Sequence, residues 1–115
     1  MTFAQLGSAL NGLKIGAVPM KFAHFGWTSA PVGDYGVYAE DGADQFQANN
    51  RYAEHIMTGS VDWYTRTDDE SGRNAIETLF KSLQDENVFA WYLNTIQYEA
   101  NTNFLHYEWI VELGQ

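Results

Sequence analysis

Three histidines, His24, His55 and His106, are the side chains best suited to move protons or hold a metal near neutral pH. No two of them are spaced as H-x-x-x-H, the pattern that sets two imidazoles on one helix face. His106 and Glu108 are two residues apart, so on a strand they emerge from one face, and a His–carboxylate pair is geometrically open to them. An exposed cross-strand pair is the ordinary outcome of that spacing. Ser8, Ser29, Ser60, Ser71 and Ser82 all lack the G-x-S-x-G context of a nucleophile elbow. The stretch GSALNGLKIG contains Lys14 but no G-K-[ST], so it does not read as a phosphate-binding loop. With no cysteine, disulfides, thiolate metal sites and a cysteine nucleophile are excluded. The acidic run Asp68, Asp69, Glu70 could attract a hard cation, but such an ion needs oxygens converging from more than one segment, and no second ligand set stands out. These residues predict a protein that is not an enzyme and holds neither cofactor nor metal.

The acidic run has a simpler use once the elements around it are placed. Thr67 and Glu70 have N-cap and N3 spacing, and acids there face the positive end of a helix dipole. Ala75, Ile76, Leu79, Phe80 and Leu83 then form the apolar stripe of a helix. An earlier helix is predicted over residues 3–12, with Phe3, Leu6, Leu10 and Leu13 on one face, Thr2 and Gln5 as a capping box and Gly12 as its stop. Between the helices, VPMKFAHF (Val18 to Phe25) reads as an edge strand or extended arm, because Pro19 cannot donate to a ladder. YGVYAED (Tyr35 to Asp41) reads as a short strand, and RYAEHIMTGSVDWYTRT as a long one with Met57, Val61 and Trp63 on one side and Gly59 at a bulge. After the second helix, two strands flank the turn NTN. In the last of them Leu105, Tyr107, Trp109, Val111 and Leu113 alternate with His106, Glu108 and Glu112, the period of a half-buried strand.

The predicted fold class is α+β: one domain over residues 1–115, in the order helix, strand, strand, helix, strand, strand, with one mostly antiparallel sheet and helices packed on it. A formal charge of −9 with only six Lys and Arg argues against gripping a phosphate backbone, and it suits either solubility or a surface that DNA must slide past. No run approaches the ~18 apolar residues of a membrane span. The start MTFAQLGSAL lacks the basic and apolar regions of a signal peptide, so cytosolic synthesis is expected. Aromatic residues make up 16% of the chain, and Tyr and Trp are favoured both in small cores and in interface centres.

The order of these signatures resembles the small tail-terminator or tail-completion proteins of long-tailed bacteriophages. The resemblance rests on VPMKFAHF, PVGDYGVYAED, QFQANNRY, VDWYTRTDDESGRNAIETLF and HYEWIVEL, and it spans about Val18 to Leu113. It implies a structural virion protein, assembled in the bacterial cytoplasm. Such a protein forms a ring with itself, commonly of six subunits, that caps the tail tube and meets the head–tail connector while DNA passes through without specific binding. It also implies no membrane partner. The polar tip of the first hairpin is the expected assembly interface: Asp41, Asp44, Gln45, Phe46, Asn49, Asn50 and Tyr52. Three alternatives are weighed beside it. One is another neck or tail tube protein of the same fold group. The second is a small-molecule-binding module with a pocket lined by Trp27, Trp63, Trp91 and Trp109, and the third an acidic mimic of DNA.

Overall fold

In the computed structural model, residues 1–43, 56–67, 69–85 and 87–114 are described. The first helix, α1 (Phe3–Leu10), begins as its spacing predicts. Thr2 Oγ1 accepts the Gln5 amide at 3.1 Å while Gln5 Oε1 accepts the Thr2 amide at 2.9 Å, so two orphan donors of the first turn are satisfied reciprocally. The helix stops at Leu10 with Asn11 as its C-cap, ahead of Gly12.

The short strands β1 (Lys14–Ile15) and β2 (Val18–Pro19) pair as a separate two-stranded sheet, turning at Gly16 with φ +61°. The main sheet has five strands in the order β3-β4-β5-β7-β6: β3 (Phe22–His24), β4 (Tyr35–Ala43), β5 (Ile56–Thr65), β6 (Phe89–Glu99) and β7 (Phe104–Gly114). Two strands ahead of the second helix is therefore an undercount. The edge strand or arm expected over Val18 to Phe25 is divided between β2 and β3, and β3 is the edge of the main sheet, parallel to β4. Parallel neighbours need a long connection, which residues 25–34 supply. That loop is pinned where Trp27 Nε1 donates to the Gly36 carbonyl at 3.0 Å and where Asp34 accepts Thr65 Oγ1 at 2.7 Å and the Arg66 amide at 3.2 Å. All other neighbouring strands of this sheet are antiparallel.

The second helix, α2 (Ser71–Leu83), starts differently from its capping pattern. Glu70 is the N-cap, in the left-handed region at φ +61°, and it makes no side-chain cap. Thr67 is not free to cap, because its hydroxyl pairs with Thr65 Oγ1 at 2.9 Å, which is itself tied to Asp34. Asp69 takes part of the role by accepting the Ser71 amide at 3.1 Å.

Both helices cover one face of the sheet, and two bare positions let them approach. A Cβ on Gly59 would lie 2.3 Å from the Ala39 carbonyl oxygen and 2.6 Å from the Phe3 ring of α1. One on Gly72 would lie 2.2 Å from the Trp63 indole nitrogen. Gly59 is thus a close-approach site, and the register shift predicted there falls on the facing strand, between Glu40 and Gly42.

The core sits between this face and both helices, with Phe3, Leu6 and Leu10 of α1 buried in it. Phe80 packs at 5.2 Å from Phe89, 5.5 Å from Trp91 and 5.9 Å from Trp109, and Phe22 lies 5.4 Å from Trp63. Rings in such a cluster contribute roughly 3–5 kcal/mol each against truncation to Ala. Tyr107, Trp109, Val111 and Leu113 are buried, so the odd-numbered face of the last strand is the core face. Trp109 Nε1 donates to Glu77 Oε2 at 2.9 Å, which satisfies a polar atom that burial would otherwise penalise. The molecule is one compact α+β domain with two helices and two sheets among its described residues.

Candidate assembly surfaces

The exposed large apolar side chains among the described residues are Val18, Phe25, Val32, Val88, Tyr92, Ile96 and Tyr98. They are not scattered. Val18, Phe25 and Val32 flank β3 at one margin of the sheet, and Val88, Tyr92, Ile96 and Tyr98 lie on or beside β6 at the other. Tyr92 is 56% and Tyr98 63% exposed, so the aromatic surplus is not all consumed by core packing. Tyr92 pairs with Ile110 on the face that is helix-free among the described residues, whereas Ile96 and Tyr98 pair with Tyr107 and Leu105 on the helix-covered face.

The two margins differ in their backbones. At β3 the Asn11 amide closes the open edge: its Oδ1 accepts the Phe22 N–H at 2.8 Å and its Nδ2 donates to the Phe22 carbonyl at 3.1 Å. At β6 the only such cover among the described residues is at the first residue, where Phe89 exchanges both backbone bonds with Asp85 at 2.8 and 3.0 Å. The rest of the edge carries a register shift between Leu93 and Thr95, which bends the strand.

Beside β3 lies an open cleft of about 240 Å³ whose walls include Val18, Pro19, Met20, Val32 and Trp63, with Lys21 and Asp34 at its polar side. Of the four tryptophans expected to line a pocket together, only Trp63 reaches it. Trp109 is buried under α2, Trp91 packs on Phe80, and Trp27 pins the 25–34 loop. The Trp63 Nε1 is fully buried and has no hydrogen-bond partner among the described residues.

The helix-free face carries the titratable cluster. Asp62 and Glu108 stand directly opposite each other on β5 and β7, an arrangement that repels. His106 relieves it on one side, its Nε2 lying 2.7 Å from Asp62 Oδ1 and its Nδ1 3.6 Å from Glu99 Oε2. Asn94, at the register shift of β6, relieves it on the other by donating to Glu108 at 2.8 Å. The His106 ring also stacks 4.1 Å from Tyr64, which stacks 4.9 Å from Tyr35. Burial alone would lower the His106 pKa, but the hydrogen bond and charge of Asp62, with Glu99 and Glu108 behind it, raise it overall. The Tyr64 hydroxyl is pushed up to about 12, first by burial and then by Asp62 and Glu99. Tyr64 is therefore un-ionised at neutral pH, and the cluster reads as a charge clamp across three strands. The sequence places His106 with Glu108; the fold pairs it with Asp62, a residue 44 positions away. Only the strand register brings them together.

A second histidine pair holds the β3 margin. His24 hydrogen-bonds Glu40 and stacks between Phe25 at 4.2 Å and Tyr38 at 4.8 Å. The hydrogen bond from His24 holds the Glu40 carboxyl below its ordinary range, against a smaller upward push from burial. Among the described residues no group of three or more His, Asp or Glu could hold a metal ion, and no helix is long and apolar enough to cross a membrane.

Of the residues expected at the assembly interface, Asp41 is exposed at the register shift of β4 and accepts Thr58 Oγ1 at 2.6 Å. Asp44, Gln45, Phe46, Asn49, Asn50 and Tyr52 lie outside the described residues, as does His55. The exposed rings of β6 and the apolar rim of the cleft were missed by sequence reasoning. Their signal is weak, because an exposed Ile or Tyr in a strand has the same spacing as a buried one.

No family model matches the chain. A search of curated proteins finds no match to it either.

Proposed function

We propose that this chain is a structural subunit that closes into a ring with copies of itself, as a bacteriophage tail terminator does, capping the tail tube and meeting the head-side connector. The observation that carries the reading is the division of the exposed apolar side chains between the two opposite margins of one sheet. A surface that recognises itself across a two-fold axis needs only one such patch. Two different patches on opposite sides are what a head-to-tail contact needs, and head-to-tail contacts that close make rings.

Charge supports the same reading. A net charge of −9 per copy is multiplied in a ring, and the helix-free face presents Asp62, Glu99 and Glu108 with His106 among them. An acidic lumen lets DNA pass without adhering. In a neighbouring assignment, another neck protein or the tube protein itself, the ring is kept and the axial partner changes.

The experiment is polymerisation of the cognate tail tube protein with and without this chain, followed by electron microscopy. Tubes of limited length, ended by a ring of density, are the expected result. Unchanged tube length with bare ends, or turnover of a substrate by the chain, would reject the proposal.

A further inference from the structure

His106 stands between carboxylates of two other strands, one at each ring nitrogen. Its Nε2 lies 2.7 Å from Asp62 Oδ1 of β5, and its Nδ1 lies 3.6 Å from Glu99 Oε2 at the end of β6. A neutral imidazole carries one N–H and one lone pair, and only the imidazolium offers a donor at both nitrogens. The two contacts are therefore favourable together only while the ring is charged. They are also unequal. Asp62 accepts at the distance of a charge-assisted hydrogen bond and its side chain is 14% exposed, whereas Glu99 stands at ion-pair distance and is 36% exposed.

From this arrangement we infer that His106 is a proton-operated latch on the outer end of β6: as pH rises the proton leaves Nδ1 for solvent, Nε2 keeps its bond to Asp62, and Glu99 turns out into water. The part of β6 beyond its register shift, residues 95–99, then loses one of its ties to the sheet. The latch needs no second copy of the chain, so it is independent of the ring reading.

The surrounding contacts confine the response to that segment. It has a strand neighbour on one side only, β7, and edge segments open locally at low cost. At its inner end Asn94 donates to Glu108 at 2.8 Å. Past its outer end the turn is held by Arg66, whose Nε donates to the Thr102 carbonyl at 3.3 Å and whose guanidinium lies 4.1 Å over the Phe104 ring. The Arg66 charge is permanent. Of the three donors, only His106 changes its charge near neutral pH.

The titratable groups facing the ring are Asp62 and Tyr64 from β5, Glu99 from β6 and Glu108 of its own strand, with Tyr35 of β4 stacked behind Tyr64. Burial disfavours the charged ring, but Asp62, then Glu99 and Glu108, outweigh it, and the pKa stands above the ordinary 6.5. A raised folded value means that the latch is closed below about 6.5 and opens as pH rises through that value.

Nuclear magnetic resonance of the full chain labelled with nitrogen-15 tests this from about pH 5.5 to 9. Through the His106 titration the ring-nitrogen shifts should show Nδ1 losing its proton and Nε2 retaining it. Protection of the slowly exchanging amides in residues 95–99, corrected for the intrinsic pH dependence of exchange, should fall roughly fivefold across the same midpoint, the weight of one ordinary hydrogen bond. Gly59 and Val111, paired at the sheet centre, should not change with it. His106→Gln and Glu99→Gln should each abolish the dependence in residues 95–99, and Glu99→Gln should also lower the His106 midpoint. A parent-like dispersed spectrum checks that each variant folds, and the parent's tautomer and protection decide the matter without either. Loss of the proton from Nε2, protection that stays constant through the titration, or a pH dependence that survives in Glu99→Gln would overturn the inference.

Discussion

The two margins of the main sheet have been treated differently. At β3 the edge is three residues long, closed by the Asn11 side chain and buttressed by the stacked His24, Phe25 and Tyr38. At β6 it is eleven residues long, covered among the described residues only at Phe89 by Asp85, and carries Tyr92, Ile96 and Tyr98 exposed. Open, apolar edge strands invite association, and proteins that must stay solitary usually shorten, charge or cover them. The β3 edge is short and bonded at Phe22, whereas the β6 edge is long, bonded at Phe89 and bent between Leu93 and Thr95. The two margins thus differ in length and in the apolar side chains they expose.

The β6 margin depends most on the ring beneath it. Phe80→Ala removes the ring on which Phe89, Trp91 and Trp109 all pack, and should cost roughly 3–5 kcal/mol in denaturant unfolding. A smaller break comes at the other margin. Asn11→Ala leaves the Phe22 N–H and carbonyl without their partners, and should cost about 1–3 kcal/mol. It should also make the β3 edge competent for strand pairing, seen as concentration-dependent aggregation on light scattering.

Gly72→Ala should destabilise by a similar amount although Ala is the better helix former by about 1 kcal/mol, because its methyl would meet the buried Trp63 indole at 2.2 Å. A stabilised Gly72→Ala protein would show that the α2 start does not press on the sheet as described.

Much of the scaffold between the margins was legible in the sequence. The alternation from Leu105 to Leu113 marks the core face, and Thr2 with Gln5 marks the start of α1, because both signals lie within a few residues of the groups they govern. The parallel partnership of β3 with β4, the register shifts at Asp41 and Asn94, and the His106–Asp62 pair were not legible, since each depends on which residues of distant strands face one another. The capping pattern at Thr67 misled for a related reason: a contact from Asp34, far away in sequence, fixes Thr65 and through it the Thr67 hydroxyl. The margins themselves were the least legible of all, because strand order is not written in any one segment.

The clamps on the two faces respond oppositely to pH. His106, whose pKa is raised by the carboxylates around it, contributes stability that is complete below about 6.5 and is lost as pH rises through its folded value. Glu40, whose pKa is lowered by His24, contributes stability present above its ordinary range near 4.3 and lost as pH falls through its folded value. Melting temperature should therefore peak between about pH 4.5 and 6.5 from these two sites. His106→Gln should flatten the alkaline limb and leave the acid limb in place. The smallest effect on stability belongs to the β6 margin, where Tyr98→Lys should change unfolding by no more than about 0.5 kcal/mol yet weaken self-association strongly.

Sedimentation velocity of the purified chain over a wide range of concentrations tests most directly whether the two margins exist to meet each other. Mass should grow in multiples of 13.0 kDa up to one closed species that does not grow further. A single 13.0 kDa species at every concentration, unchanged when tail tubes are added, would contradict it.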